Sequence, residues 1–119
     1  MAIEFAIEDR QIDGKAHIVA VSGEVDLFTA PEFKQRVMAP IAAGIDHVIV
    51  DLTRTTFIDS SSLGVLIGAH RRLKQRGGRL VVVCEGEAIV KTFRITGLDG
   101  VFTIVGSLEA GLRAGAEAA

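Results

Sequence analysis

The sequence contains no tryptophan and no tyrosine, a single cysteine and only two prolines among 119 residues. Each shortage excludes something. A lone Cys84 permits no intramolecular disulfide and no cysteine-based zinc site, which points to a reducing compartment rather than a secreted scaffold. Without Trp or Tyr, the usual platforms for stacking nucleic-acid bases are missing, and six Phe are the aromatics that remain. Positive charge is short as well: 13 Lys plus Arg against 15 Asp plus Glu give a net charge of -2, so no global basic field draws in nucleic acid. The longest apolar runs, such as Leu80-Val81-Val82-Val83-Cys84, fall far short of a membrane span, and residues 1–5 lack a basic stretch leading into an apolar one. A soluble cytoplasmic protein is expected, with neither membrane nor direct nucleic-acid contacts.

What is present is a globular composition, 49% apolar and 24% charged, in a length that suits one domain over residues 1–119. From Phe5 to Ser22 the chain is rich in Ile, Val and Ala and is broken at Asp13-Gly14, which predicts two short strands joined by a turn. Thr29-Ala30-Pro31-Glu32 has the form of a helix start, with Thr29 as cap, Pro31 where no amide is needed and Glu32 completing a capping box. The helix carries Phe33, Val37 and Met38 on one face, and Pro40 is expected to kink or end it. Residues 47–52 are nearly continuous in apolar side chains, the pattern of a strand buried on both faces, and a short Thr-rich turn follows.

Residues 60–76 place Leu63, Leu66, Ile67 and Leu73 at helical spacing, and Gly77-Gly78 stops that helix. The cluster Arg71, Arg72, Lys74 and Arg76 falls in its last turns, where cations complement the helix dipole, so it needs no nucleic-acid partner. Residues 79–84 predict a strand, residues 87–96 a helix closed by Gly97, and residues 101–105 a further strand. A last helix opens at Ser107 and runs into an Ala- and Gly-rich tail expected to fray. The order β-β-α-β-α-β-α-β-α implies an α/β domain with a four- to five-stranded, mostly parallel mixed sheet and crossover helices.

In such sheets, sites collect outside the carboxyl ends of the strands. Two loops qualify, Gly23-Glu24-Val25-Asp26-Leu27-Phe28-Thr29 and Phe57-Ile58-Asp59-Ser60-Ser61-Ser62-Leu63-Gly64. In the second, one of Asp59, Ser60, Ser61 and Ser62 caps a long helix while others face solvent at the positive end of its dipole, and an exposed hydroxyl there suits phosphoryl transfer. Spacing alone does not separate that role from ordinary capping. Asp59 reads equally as cap or contact, and Asp26 as an Asx turn or a contact.

Asp51-Leu52, the run Phe57-Ile58-Asp59-Ser60-Ser61-Ser62-Leu63-Gly64-Val65-Leu66, Gly77-Gly78 and the upstream Gly23-Glu24-Val25-Asp26 together resemble the signature of STAS-domain anti-sigma-factor antagonists. The likeness spans nearly the whole chain, including Gly97-Leu98. It implies that Ser60, the first serine after the Asp, is phosphorylated by an anti-sigma factor that is also a serine kinase of the GHKL ATPase type, with Ser61 as runner-up. It further implies that the unphosphorylated protein captures the anti-sigma factor and frees the sigma factor, that phosphorylation ends the capture, and that a PP2C-type phosphatase restores it. Asp26, Asp59, Ser60, Ser61, Ser62 and Leu63 form the implied partner-binding set, although Leu63 and Leu66 also read as core. Ser62 departs from the family pattern, which usually has Gly there. A phosphate would move the net charge from -2 to roughly -4.

Two rivals remain in view. A serine hydrolase could draw on Ser60 with His17, His47 or His70, but there is no Gly-x-Ser-x-Gly elbow, and His70 lies roughly 15 Å along the same helix from Ser60 at about 1.5 Å per residue. A STAS scaffold module of a stressosome or transport complex would use the same fold without phosphorylation. No Walker loop, dinucleotide fingerprint or metal-spaced cluster is present in the sequence, so no cofactor, metal or catalytic residue is expected and the protein is read as a binder rather than an enzyme.

Overall fold

The computed structural model describes residues 3–13 and 15–118, the last four of these in backbone alone. Five strands form one sheet in chain order: β1 (Ala6–Ile12), β2 (Ala16–Val25), β3 (His47–Ile58), β4 (Arg79–Val83) and β5 (Thr103–Val105). β1 runs antiparallel to β2, and every later neighbour is parallel. The helices are α1 (Ala30–Ala42), α2 (Ser60–Gln75), α3 (Glu87–Thr96) and α4 (Leu108–Ala118), with one 3-10 turn at Leu98–Gly100. The expected α/β class, element order and mostly parallel mixed sheet are all present.

Parallel strands added one after another in a single direction, with crossovers of one hand, must put successive crossover helices on the same face. The core divides accordingly. Val19, Val48, Val50, Leu80 and Val82 pack under Phe33 and Val37 of α1, Leu66 and Leu73 of α2, and Ile89 and Phe93 of α3. Ile18, Ile49, Val81 and Val83 line the opposite face beneath Leu108 and Leu112 of α4. The first half of β3 and all of β4 are therefore covered on both sides, which is why they read as nearly unbroken apolar runs. Each fully buried Leu or Phe contributes about 1.5–3 kcal/mol relative to exposure.

The structure departs from expectation at four places, each for a physical reason. The Thr-rich segment is not a turn: β3 continues through it to Ile58, because two bulges insert extra β3 residues against β2, between Ala20 and Ser22 and between Gly23 and Glu24. The bulges scramble the alternation, leaving Thr55 buried with its hydroxyl donating to the Val21 carbonyl at 2.9 Å. Thr29 does not cap α1 and Glu32 completes no capping box; the Thr29 backbone is already helical and its hydroxyl turns back to the Glu24 carbonyl at 3.1 Å. Pro40 falls so near the end of α1 that the helix runs two residues past it before closing at Ala42. Val101 and Phe102 join no strand, since both amides are spent on the Leu98 carbonyl in the 3-10 turn. The hairpin turn forms at Asp13, with Gly14 outside the described residues, as is Ala119 at the end of the tail expected to fray.

Candidate functional site

β4 pairs with β3 only over residues 47–51, whereas β2 accompanies β3 as far as Ile58. The carboxyl ends of β2 and β3 thus project together, and the two loops singled out in the sequence meet there. Asp59 is extended, with φ -127° and ψ -172°, and its carboxylate accepts the Ser61 and Ser62 amides at 3.0 and 3.3 Å. Ser62 answers in kind: its hydroxyl accepts the Asp59 amide at 2.9 Å and lies 2.8 Å from the Asp59 carbonyl. This is a closed capping box, and the Ser62 hydroxyl, wholly buried, also reaches within 3.4 Å of the Val25 carbonyl that ends β2. The Ser62 side chain therefore ties the two loops together from inside.

Capping being settled by Asp59 and Ser62, Ser60 is left exposed at the first position of α2, and its hydroxyl makes no hydrogen bond among the described residues. Ser61 is half-buried. The implied partner-binding set divides by exposure. Asp26, Asp59, Ser60 and Ser61 reach solvent, whereas Ser62 and Leu63 are buried, Leu63 packing in the core.

The neighbouring loop is built the same way. One Asp26 carboxylate oxygen accepts the Thr29 and Phe28 amides at 3.0 and 2.9 Å, and these bonds hold the carboxyl below the usual carboxylate range. The Asx turn fixes Leu27 and Phe28 with 68% and 89% of their surfaces in water, and Phe57 at the end of β3 is 46% exposed. Sequence reasoning missed these three side chains. Their signal was positional: Leu27 and Phe28 sit between a turn-forming Asp26 and Thr29, outside any helical or strand period that would bury them. Gly23 completes the frame, with φ +84° and the Phe5 amide so close that any Cβ would meet it at 2.7 Å.

Between α1 and α2 lies an open groove of about 580 Å³, floored by small residues of α2 and walled by Ala30, Lys34 and Met38 of α1, with Leu27 and Ser61 at one end. Elsewhere the titratable groups serve the fold. His17 Nε2 lies 2.9 Å from Asp9, which also pairs with Arg36 of α1; although partial burial opposes it, those hydrogen bonds keep the Asp9 carboxyl low. His70 stacks edge-on against Phe102, and His47 lies at the start of β3. No histidine bonds Ser60 among the described residues. Burial pushes the Cys84 thiol up to about 11, which suits a small hydrophobe rather than a nucleophile. No cluster of His, Cys, Asp or Glu among the described residues is arranged to hold a metal, and no described helix is long and apolar enough to cross a membrane.

Comparison with known proteins bears out the family and the fold. The model of the STAS domain family matches residues 6–111. An anti-sigma-B factor antagonist of Listeria monocytogenes is 36% identical over 106 residues, covering 87% of this chain and 90% of that protein. The Bacillus subtilis protein of the same name is 30% identical over 95 residues, covering 80% and 86%. Among solved structures, an anti-sigma factor antagonist from Mycobacterium paratuberculosis superposes with a TM-score of 0.82 at 32% identity, covering 96% of this chain and 94% of that one.

Proposed function

Because the chain belongs to the STAS-domain family of anti-sigma factor antagonists, we propose that it controls transcription by partner switching, with Ser60 as the switch. The unphosphorylated protein captures an anti-sigma factor and so releases the sigma factor. The captured partner is also a serine kinase of the GHKL ATPase type, which phosphorylates Ser60 and ends the capture, and a PP2C-type phosphatase resets the cycle in the cytoplasm. The role is regulatory, and the chain itself performs no chemistry.

The observation that carries this reading is the division of labour among the three serines. With the helix capped by Asp59 and Ser62, the Ser60 hydroxyl is unencumbered and exposed. It stands in the first turn of α2, where the helix dipole tolerates a dianion. A phosphate there adds about -1.5 to -2 charge beside Asp26 and Asp59 without disturbing the fold, so its effect falls on the partner through repulsion and desolvation. Exposed Leu27, Phe28 and Phe57 offer the apolar contacts that a docked partner would cover.

The test is the intact mass of the protein recovered from its host, before and after phosphatase treatment, with peptide mapping across residues 57–71. A removable phosphate on Ser60, absent from Ser60→Ala, is the expected result. Phosphate that persists on Ser61 in Ser60→Ala overturns the site assignment. No phosphate under any growth condition overturns the switch.

A further inference from the structure

We propose that the groove between α1 and α2 is the seat of the anti-sigma factor, taking a short amphipathic helix that places an apolar side chain over Gly64 and a carboxylate against Lys34. The inference deepens the partner-switching reading and depends on it. Its ground is a helix that forgoes stability without an internal reason. Gly64 is the fifth of the 16 residues of α2 and is exposed, and a Cβ built there meets nothing within 4 Å. No neighbour in this chain requires the glycine, and Gly is a poor helix former. What the missing side chain leaves is the open floor of a groove.

The surroundings say what fits. Apart from Lys34, which is exposed, the residues lining the groove carry no charge. Arg72 stands near the same wall, its guanidinium 3.9 Å from the Met38 sulfur. The end at Leu27 and Ser61 is negative, with Asp26 and Asp59 in the adjoining loops. An acidic, apolar segment is therefore matched at Lys34 and opposed at the Ser60 end. Leu27, 68% exposed, lines the same groove and gives the segment an apolar rim. Ser61 forms part of the wall, so a phosphate on Ser60 would stand one residue from the occupant and repel its carboxylate. The groove thus links the modification to the loss of the partner.

The experiment first identifies the ATP-binding protein that the wild-type chain retains from host lysate, then produces that protein pure and measures its affinity for variants. Gly64→Leu should weaken binding about tenfold or more while melting no lower than wild type, because leucine is the better helix former. Lys34→Glu should weaken binding about fivefold and reduce its salt dependence. Ile95→Glu, on α3 outside the groove, should bind as wild type does. If wild type binds and both groove variants bind equally well, the groove is overturned while the partner-switching reading stands. A wild-type chain that retains no anti-sigma factor overturns both. A concentration-dependent dimer of the pure chain that Gly64→Leu abolishes would assign the groove to a second copy and overturn the proposal as well.

Discussion

At the scale of single residues, neighbouring hydroxyls of one type have been given unlike tasks by their place on a helix turn. Ser62 is buried and bonded to both ends of the Asp59 peptide, so Ser62→Ala should cost about 1 kcal/mol, the usual worth of a satisfied buried hydrogen bond. Asp59→Ala removes the other half of the box and should cost about the same. Ser60→Ala should stay within about 0.5 kcal/mol of wild type, because an exposed, unbonded side chain has little to lose. Urea denaturation of the three variants checks the ranking, and a large loss in Ser60→Ala would contradict it. The sequence shows that a capped serine run opens α2, but not which serine turns inward. That choice is made by the capping box, in which the Ser62 hydroxyl meets the Asp59 amide and carbonyl at 2.9 and 2.8 Å, and it is reinforced by the Val25 carbonyl that strand pairing brings within 3.4 Å. Leu27 and Phe28 were illegible for a related reason: the sequence offers an Asx turn at Asp26 but not the direction in which the turned loop projects its apolar side chains.

At the scale of elements, glycines in two helices predict opposite outcomes. α4 lies so close to the sheet that a Cβ on Gly111 would meet Val83 at 3.2 Å, Ile49 at 3.5 Å and Val81 at 3.6 Å. Gly111→Val should lift the helix and destabilise the protein by about 1–3 kcal/mol, as overpacking does. Gly64→Ala, with open space above it, should instead stabilise by up to about 1 kcal/mol. Thermal unfolding of the pair settles whether each helix is set by packing or by propensity. Elements whose period matched their surroundings were readable: α3 has the expected bounds, and β4 ends one residue short of the expected strand. β3 was half-legible, since residues 47–52 are buried on both sides while the rest pairs only with β2 and is bulged, so no alternation survives. A proline rule read without position foretold a kink or an end at Pro40, whereas α1 runs on to Ala42 before it closes.

At the scale of the whole molecule, stability should fall in weak acid. Burial holds His47 and His70 below the ordinary 6.5, with Arg79 and Lys74 adding repulsion, and the Nε2 of His47 is buried without a partner among the described residues. As pH drops through about 6.5, the unfolded chain binds protons that the folded chain refuses, so stability is lost from there downward until the lowered values are reached. Asp9 and Asp26, both held below 3.8, contribute stability that is present above that value and lost only at lower pH. Urea midpoints from about pH 7.5 to about pH 5 should therefore decline, and His47→Gln should flatten the decline. An unchanged slope would assign it elsewhere. The molecule measures 39 × 25 × 23 Å, and β2 and β3 run on past the last pairing of β4. That overhang is a cantilever. Beyond the last β4 pairing its amides are held by β2 and β3 alone, so they open locally before the rest of the sheet does. A clamp on the tip will therefore slow exchange there by suppressing that local opening, whereas the buried amides of β4 will slow only by as much as binding raises the cost of unfolding the whole chain.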